Sequence, residues 1–112
     1  MGRLTLTTER PRDGVICVAL SGELDLSSAY SVDAALRRIE DTRPDTLIVD
    51  LRELVFMDSA GLSRLLAAHR RARRGGWRFG RTRGPDAVER MLRMTATDER
   101  FLTLSDPAAA AF

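Results

Sequence analysis

The chain has 112 residues, enough for one domain that buries roughly two-thirds of the surface its unfolded form exposes. Its 44% apolar and 30% charged residues are typical of a soluble globular protein. A single cysteine excludes an internal disulfide, and no apolar run approaches the roughly 18 residues of a membrane-spanning helix. The N-terminal residues lack the apolar stretch of a signal peptide, so we expect a cytoplasmic protein with no membrane partner.

The charge is distributed unevenly along the chain. The net charge is only +2, and all 18 basic residues are arginine. Residues 1–62 contain 7 arginines and 11 acids, whereas residues 63–112 contain 11 arginines and 5 acids. An acidic first half is therefore joined to a basic second half.

The first half alternates strand and helix patterns. Residues 4–7 alternate in polarity and predict an edge strand, residues 10–14 a hairpin turn, and residues 15–20 an interior strand. Residues 21–25 are predicted to form a loop, after which Ser27 or Ser28 caps a helix. The apolar face of that helix consists of Ala29, Val32, Leu36 and Ile39.

A strand, a short turn and an arginine-rich helix form the middle of the chain. Residues 46–51 predict a buried strand, and a second apolar pair, Val55 and Phe56, leads into Asp58 and Ser59. The apolar period then becomes helical, and Gly75 and Gly76 end the helix. The residues on its apolar face are Leu62, Leu65, Leu66, His69 and Ala72.

The remaining segments complete an α/β pattern. Residues 77–80 predict a fourth strand, Pro85 begins a third helix, and residues 101–104 predict a last short strand. Val88, Met91 and Leu92 are expected to face inward, and residues 105–112 to form a loosely docked or flexible tail. The sequence therefore predicts one domain with its core at residues 4–104. Its fold would be α/β, a mixed sheet of about four or five strands with helices packed on it.

Asp58 and Ser59 are open to two interpretations. Both are favoured at helix N-termini, where their oxygens accept free backbone N–H groups, so a purely structural capping pair is one. The other is an accessible serine that accepts a phosphoryl group. Ala60 and Gly61 leave the hydroxyl without large neighbours, and Gly61 weakens the helix without supplying a cap. A helix N-terminus also accommodates a phosphate, because its free N–H groups and its dipole both favour negative charge.

Two motifs resemble one family. The segment VDLRELVFMDSAGLSRLLAAHRRARRGG is similar to STAS domains, specifically to bacterial anti-sigma-factor antagonists, which carry D-S-[STA]-G at the start of a helix after a strand ending in D-L. The upstream segment LSGELDLSSA resembles the G-E-[ILV]-D turn of that family. The resemblance runs from about residue 5 to 104. Residues 95–98, Thr-Ala-Thr-Asp, depart from the T-G-L-D-like turn that often precedes the last strand.

The resemblance implies a regulator and not an enzyme. Ser59 would be phosphorylated by an anti-sigma factor that is also a serine kinase, with Asp58 helping to orient the hydroxyl. The unmodified protein would bind that kinase and thereby release a sigma factor, and a metal-dependent serine phosphatase would reverse the modification. The kinase would bring ATP and Mg²⁺, so the chain itself would need no cofactor or metal. The implied partner-binding residues are Ser21, Gly22, Glu23, Asp25, Asp58, Ser59, Ala60, Gly61 and Leu62.

Several other chemistries are excluded or weakly supported. His69 follows Ser59 by ten residues on one helix, about 15 Å away, so a Ser–His pair within the chain is excluded and His69 is interpreted as packed. One histidine and one cysteine are too few for a nitrogen or sulfur metal site, and no P-loop is present. If the resemblance places them together, Glu23, Asp25 and Asp58 would surround the hydroxyl; this cluster is a weak candidate for Mg²⁺, and we expect no metal site there.

An arginine-rich segment suggests a further alternative. Its arginines have no acid among them, a density that suits phosphate-backbone binding, a solvated helix face or an acidic partner surface. The small net charge and the lack of a recognition-helix motif favour the solvated face over direct nucleic-acid binding. The main alternative to the switch is a scaffold or transporter-associated module of the same fold, without phosphorylation, and direct nucleic-acid binding is the third option. The arginines are Arg64, Arg70, Arg71, Arg73, Arg74, Arg78, Arg81 and Arg83.

Overall fold

A computed structural model describes residues 3–95 and 101–104, and within them five strands alternate with three helices. The predicted α/β domain with a mixed sheet is confirmed. The predicted tail at residues 105–112 and most of the departing turn at residues 95–98 lie outside the described residues. The elements are β1 (Leu4–Arg12), β2 (Val15–Leu24), α1 (Leu26–Glu40), β3 (Thr46–Met57), α2 (Ser59–Gly75), β4 (Arg78–Thr82), α3 (Asp86–Met94) and β5 (Leu102–Leu104).

The order of the strands in the sheet is the same as their order in the sequence. β1 is antiparallel to β2, and every later pair, from β2–β3 to β4–β5, is parallel. Each parallel pair is joined by a helix, and such crossovers are right-handed in nearly all proteins. Because the strands add in one direction, all three helices pack on the same face of the sheet.

The main core lies between that face and the helices. Alternate residues of β2 and β3 point into it, which is the period of a half-covered strand. A smaller cluster of Val15 and Ile48, with Leu104 packed against it, involves the other residues of the same strands. The buried members of the main core include Ile16, Val18, Leu20, Leu47, Val49, Leu51, Val32, Leu36, Leu62, Leu65, Ala68, Ala72, Val88 and Leu92.

The predicted loop at residues 21–25 is wrong for four of its five residues. β2 continues to Leu24, because Ser21 and Gly22 pair with β1 on one side and with β3 on the other. Gly22 has φ +107°, and a Cβ there would overlap the carbonyl oxygen of Arg3. Only glycine therefore lets the strand continue through this irregularity.

Other boundaries also extend beyond the local pattern. β1 reaches Arg12, which leaves a tighter turn than the predicted residues 10–14, and β3 includes the pair Val55 and Phe56. β4 begins and ends slightly later than predicted, and Pro85 is the N-cap of α3 and not its first helical residue. In each case long-range strand pairing or cap geometry sets the boundary, and neither is visible in a short window of sequence.

The arginine-rich segment contains structural ion pairs. Arg71 of α2 donates two hydrogen bonds to Glu40 of α1, at 2.6 and 2.8 Å, and a third to Asp33 at 3.3 Å. Arg81 is only 3% exposed and donates two hydrogen bonds to Glu89, at 2.6 and 3.2 Å, which connect β4 to α3. The interpretation of a solvated face is therefore wrong for Arg71 and Arg81.

The remaining members of that segment differ among themselves. Arg64 and Arg83 lie 3.9 and 3.7 Å from the same acids, Asp33 and Glu89. The exposed members are Arg70, Arg73, Arg74, Arg78 and Arg83. His69 is half-buried, and its ring centroid lies 5.3 Å from that of Phe101 and 6.0 Å from that of Phe79. The expectation of a packed histidine is confirmed.

A hydroxyl group connects β3 to β4 beyond their shared ladder. The ladder ends at the pair Val49 and Arg81, and the next residue, Thr82, is fully buried. The Thr82 hydroxyl accepts a hydrogen bond from the Leu51 N–H at 2.9 Å and donates one to Asp50 Oδ1 at 2.8 Å. A side chain thus satisfies a buried N–H that the diverging strands leave without a backbone partner.

We expect Thr82→Val to lower the free energy of unfolding by about 1–3 kcal/mol, because it leaves the buried Leu51 N–H without an acceptor. Thr46→Val is the matched control, since Thr46 is buried in a strand and its hydroxyl has no hydrogen bond among the described residues. Urea unfolding of both variants measures the difference. Equal losses of stability would contradict the assigned role of Thr82.

Buried carboxylates predict the pH dependence of stability. Burial by itself would raise the pKa of Asp33, but the hydrogen bond from Arg37 and the charges of Arg71, Arg37 and Arg64 outweigh it and lower the pKa. The pKa of Glu89 is likewise lowered, because hydrogen bonds from Arg81 and the Gly84 N–H outweigh burial. The unfolded chain therefore binds more protons than the folded chain in the acidic range.

The free energy of unfolding should accordingly be highest above pH 5 and fall as the pH drops below about 4, towards the lowered pKa values of the folded state. Asp33→Asn should be less stable at pH 7 and lose less stability between pH 5 and pH 3. Urea titrations at several pH values measure both slopes. Identical slopes for the two proteins would exclude Asp33 as a source of the acid sensitivity.

Candidate functional site

Two helix N-termini meet at one edge of the sheet. The parallel strands β2 and β3 end at Leu24 and Met57, which pair with each other. Each strand is followed at once by an aspartate, Asp25 or Asp58, that caps the next helix. The carboxyl edge of parallel strands is where α/β folds usually place their sites.

Asp25 caps α1, and this corrects the prediction that Ser27 or Ser28 does so. Its Oδ1 accepts hydrogen bonds from the N–H groups of Ser27 and Ser28 at 3.0 and 3.3 Å, and from the Ser27 hydroxyl at 2.6 Å. The Ser28 Oγ in turn accepts a hydrogen bond from the Asp25 N–H at 3.0 Å, which completes a capping box. The Ser27 hydroxyl bond, opposed in part by burial and supported by the two backbone N–H groups, lowers the pKa of Asp25 and keeps it ionised.

Asp58 links the two motifs through both carboxylate oxygens. Oδ1 accepts from the Gly61 N–H at 3.0 Å and so caps α2, while Oδ2 accepts from the Leu26 N–H in the first turn of α1 at 3.2 Å. The Asp58 N–H donates to the Leu24 carbonyl oxygen at 3.2 Å. One residue of the D-S-A-G motif is thus bonded at three points to the α2 turn and to the G-E-L-D segment.

Ser59 is the first residue of α2, and its side chain is exposed. No hydrogen-bond partner of its hydroxyl is found among residues 3–95 and 101–104. Both oxygens of Asp58 are directed at backbone N–H groups, so the geometry gives no support to an orienting bond from Asp58 to the Ser59 hydroxyl. The hydroxyl is therefore free to meet a partner.

Gly61 is required by packing. A Cβ at Gly61 would lie 2.6 Å from both Cγ and the carbonyl oxygen of Leu24, which is fully buried. The bare backbone lets the first turn of α2 approach the end of β2, which offsets the usual cost of glycine in a helix. Leu24 is the positioning residue that the sequence analysis missed. Its place between the two acids of G-E-L-D, in strand alternation, was the available signal.

The other predicted partner-binding residues divide by exposure. Ser21 is exposed, and Gly22, Glu23 and Ala60 are half-buried at the same edge. Leu62 is only 5% exposed and belongs to the core, so its side chain offers little to a partner. Leu62 therefore anchors the turn to the core, and the surface around Ser59 is formed by the other predicted partner-binding residues.

The weak Mg²⁺ site considered from the sequence finds no support. Asp25 and Asp58 direct their carboxylates to helix N–H groups and not to a common point. Within the part of the chain that the structure describes, no three His, Cys, Asp or Glu side chains are arranged to hold a metal. The two aspartates act as acceptors of backbone N–H groups.

The fold and the paired motifs define a STAS domain. A model of the family described as Mlab, STAS domain, matches residues 7–104, and the chain therefore belongs to this family. The chain is 26% identical over 98 residues to the anti-sigma-F factor antagonist RsfB of Mycobacterium tuberculosis, a match covering 88% of this chain and 80% of that protein.

Solved structures agree with this assignment. An anti-sigma factor antagonist from Mycobacterium paratuberculosis superposes with a TM-score of 0.83 at 28% identity, covering 93% of this chain and 87% of the other. The anti-sigma factor antagonist SpoIIAA in its unphosphorylated form shares the fold, with a TM-score of 0.79, 19% identity and coverages of 94% and 92%. None of the described helices combines the length and hydrophobicity needed to cross a bilayer.

The double role of Asp58 is open to test by two amide substitutions. Asp58→Asn leaves one acceptor oxygen for two N–H donors and should lower the free energy of unfolding by about 1–2 kcal/mol. Asp25→Asn is the matched control, because Oδ1 alone accepts all the hydrogen bonds that cap α1 and the amide oxygen replaces it. Thermal and urea unfolding compare the two. An equal or larger loss in Asp25→Asn would contradict the bridging role.

Proposed function

We propose that this protein is an anti-sigma-factor antagonist whose binding is switched by phosphorylation of Ser59. One observation carries the proposal: an exposed serine without a hydrogen-bond partner among the described residues begins α2, in a turn bonded to the second family motif. Its relatives RsfB and the Mycobacterium paratuberculosis protein are named for the same activity. By this analogy the partner is an anti-sigma factor.

In the proposed cycle the partner is also a serine kinase and supplies ATP and Mg²⁺. Ser59 is the substrate, and the unmodified turn with the adjoining Glu23 and Asp25 forms the docking surface. Binding frees a sigma factor, and a metal-dependent serine phosphatase later restores the hydroxyl. We place this cycle in the cytoplasm, where transcription occurs.

The proposed switch follows from local electrostatics. Phosphorylation adds about −1.5 to −2 charges beside the carboxylates of Asp58 and Asp25. The N-terminus of α2 tolerates the phosphate, because unpaired N–H groups and the helix dipole favour negative charge, so the domain stays folded. A partner surface that fits a neutral serine among acids then faces a dianion. Since each tenfold loss of affinity requires about 1.4 kcal/mol, modest repulsion is enough to release the partner.

The geometry supports a substrate role for Ser59 and gives it no catalytic base. His69 lies ten residues further along α2 and packs against Phe79 and Phe101. The carboxylate of Asp58 is bonded to two N–H groups. The chain positions the hydroxyl and leaves its activation to the kinase, which is why we propose a regulator and not an enzyme.

Direct nucleic-acid binding is not part of the proposal. Two members of the arginine-rich segment, Arg71 and Arg81, are bonded to carboxylates inside the domain. Phosphate-backbone binding depends on arginines that are free to neutralise phosphates and so release counterions from the nucleic acid. The exposed members on α2, Arg70, Arg73 and Arg74, lie towards its C-terminal end, away from the Ser59 turn.

The test is phosphorylation of the protein in an extract of its own cells with ATP, followed by peptide mapping. We expect one phosphate on Ser59, none on Ser59→Ala, and loss of kinase binding in Ser59→Asp. Ser63→Ala is the matched control, because Ser63 is exposed on the same helix four residues further on. It should be phosphorylated like the wild type.

Two results would overturn the proposal. One is phosphorylation that persists in Ser59→Ala. The other is a stable stoichiometric complex that forms identically with and without ATP while Ser59 stays unmodified, which would indicate a scaffold of the same fold. Either result requires that extract kinases are shown to be active on another substrate.

A further inference from the structure

Exposed large hydrophobic side chains are concentrated near the Ser59 turn. Among the described residues, six such side chains are more than 40% exposed. Leu26 and Tyr30 lie on α1, and Val55 and Phe56 lie near the end of β3, just before Asp58. A fifth, Met94, lines a cleft of about 200 Å³ together with Phe56. The sixth, Leu102, is on the edge strand β5. Clustered exposed apolar residues are characteristic of interaction surfaces.

The two on α1 are the most directly connected to the site. Leu26 is 78% exposed, and its N–H donates to the Asp58 carboxylate, so one hydrogen bond and one peptide unit separate it from Ser59. Tyr30 is 74% exposed and lies four residues further on, which places both side chains on one face of α1. Neither contributes to the core, and neither is among the partner-binding residues that the resemblance implies.

The size of a protein interface brings these residues into any complex made at Ser59. A standard interface covers about 800 Å² on each partner, which is a patch of roughly 16 Å radius. The first two turns of α1 lie well within that distance of the Ser59 turn, because the Leu26 N–H and Asp58 Oδ2 are 3.2 Å apart. An interface of standard size centred on Ser59 would therefore reach the first turns of α1, which carry Leu26 and Tyr30.

We infer that Leu26 and Tyr30 are the apolar anchors of the docking surface, and that the occupant is the serine kinase that modifies Ser59. The inference rests on the proposed function. The kinase surface that fits them is an apolar hollow bordered by basic side chains, because Asp25 precedes Leu26 in the chain and Asp58 accepts the Leu26 N–H. Tyrosine is enriched among the few residues that dominate the energy of an interface, while the contacts around them contribute little.

The anchors and the switch have separate tasks. Phosphorylation changes the charge at Ser59 and leaves the α1 side chains unchanged. Leu26 and Tyr30 therefore determine which kinase binds and how tightly it binds, whereas Ser59 determines whether the complex persists. Substitution of the anchors should change Kd and KM with little change in kcat, because neither side chain touches the reacting hydroxyl.

The experiment uses the kinase purified by following its transfer of phosphate to Ser59. Alanine substitution of both anchors, Leu26→Ala with Tyr30→Ala, should raise Kd and KM about tenfold or more, with kcat within about twofold of the wild type. Leu102→Ala is the matched control, an exposed leucine on β5 that pairs with Gly80 in another part of the sheet. It should bind like the wild type. Thermal unfolding checks that all variants are folded.

The outcomes separate this inference from the proposed function. If the wild type binds the kinase and is phosphorylated on Ser59, while the double variant has an unchanged Kd and KM, only the inference is overturned. The same conclusion holds if the double variant changes the oligomeric state of the free protein and leaves kinase binding intact, because the patch would then join two copies. If the wild type neither binds a kinase nor is phosphorylated, both are overturned.

Discussion

The carboxylate of Asp58 is the interaction on which the site depends. Its two oxygens satisfy one N–H group at the start of α2 and one at the start of α1, so two helices that are remote in sequence begin at a fixed separation. The close contact between Gly61 and Leu24 brings the backbones near enough for this bridge. Any side chain at residue 61 would push α2 away from Leu24 and lengthen the hydrogen bond from the Leu26 N–H to Asp58. The exposed serine is thereby held on a rigid edge and not on a loop.

Complementary charge between the two halves of the chain stabilises the same arrangement from the side. Asp33 and Glu40 belong to the acidic half and Arg71 to the basic half, and their ion pairs fasten α1 to α2 along the length of the helices. Buried pairs of this kind contribute little net stability, because desolvation offsets most of the attraction. They do penalise any other alignment of the helices, since a shifted register would leave an arginine buried without an acid. Part of the charge asymmetry of the sequence thus reflects a helix–helix interface.

What the sequence predicted, and what it could not, follows the range of the interactions involved. The order of strands and helices, the start of α2 at the Asp58–Ser59 turn and its end at Gly75 and Gly76 depend on neighbouring residues, and they were predicted correctly. The continuation of β2 through Gly22 depends on pairing with strands on both sides, and the partner of Arg71 lies 31 residues away. Local patterns carry no information on either. Asp25, Ser27 and Ser28 are all favourable N-cap residues near the start of α1. The end of β2 at Leu24 selects Asp25.

The division of tasks at the carboxyl edge has a physical basis. A phosphate acts strongly over short distances and is screened within about 8–10 Å in physiological salt, so it controls only contacts near Ser59. Apolar contact is insensitive to that charge and adds affinity in proportion to area. An interface made only of the charged turn would bind the unphosphorylated protein weakly. One made only of apolar contacts would not release the partner after phosphorylation. Placing Leu26 and Tyr30 beside the turn, on a helix whose first N–H is bonded to Asp58, combines the two within one rigid surface. In the proposed complex, affinity and release are therefore adjusted by different residues of the same edge.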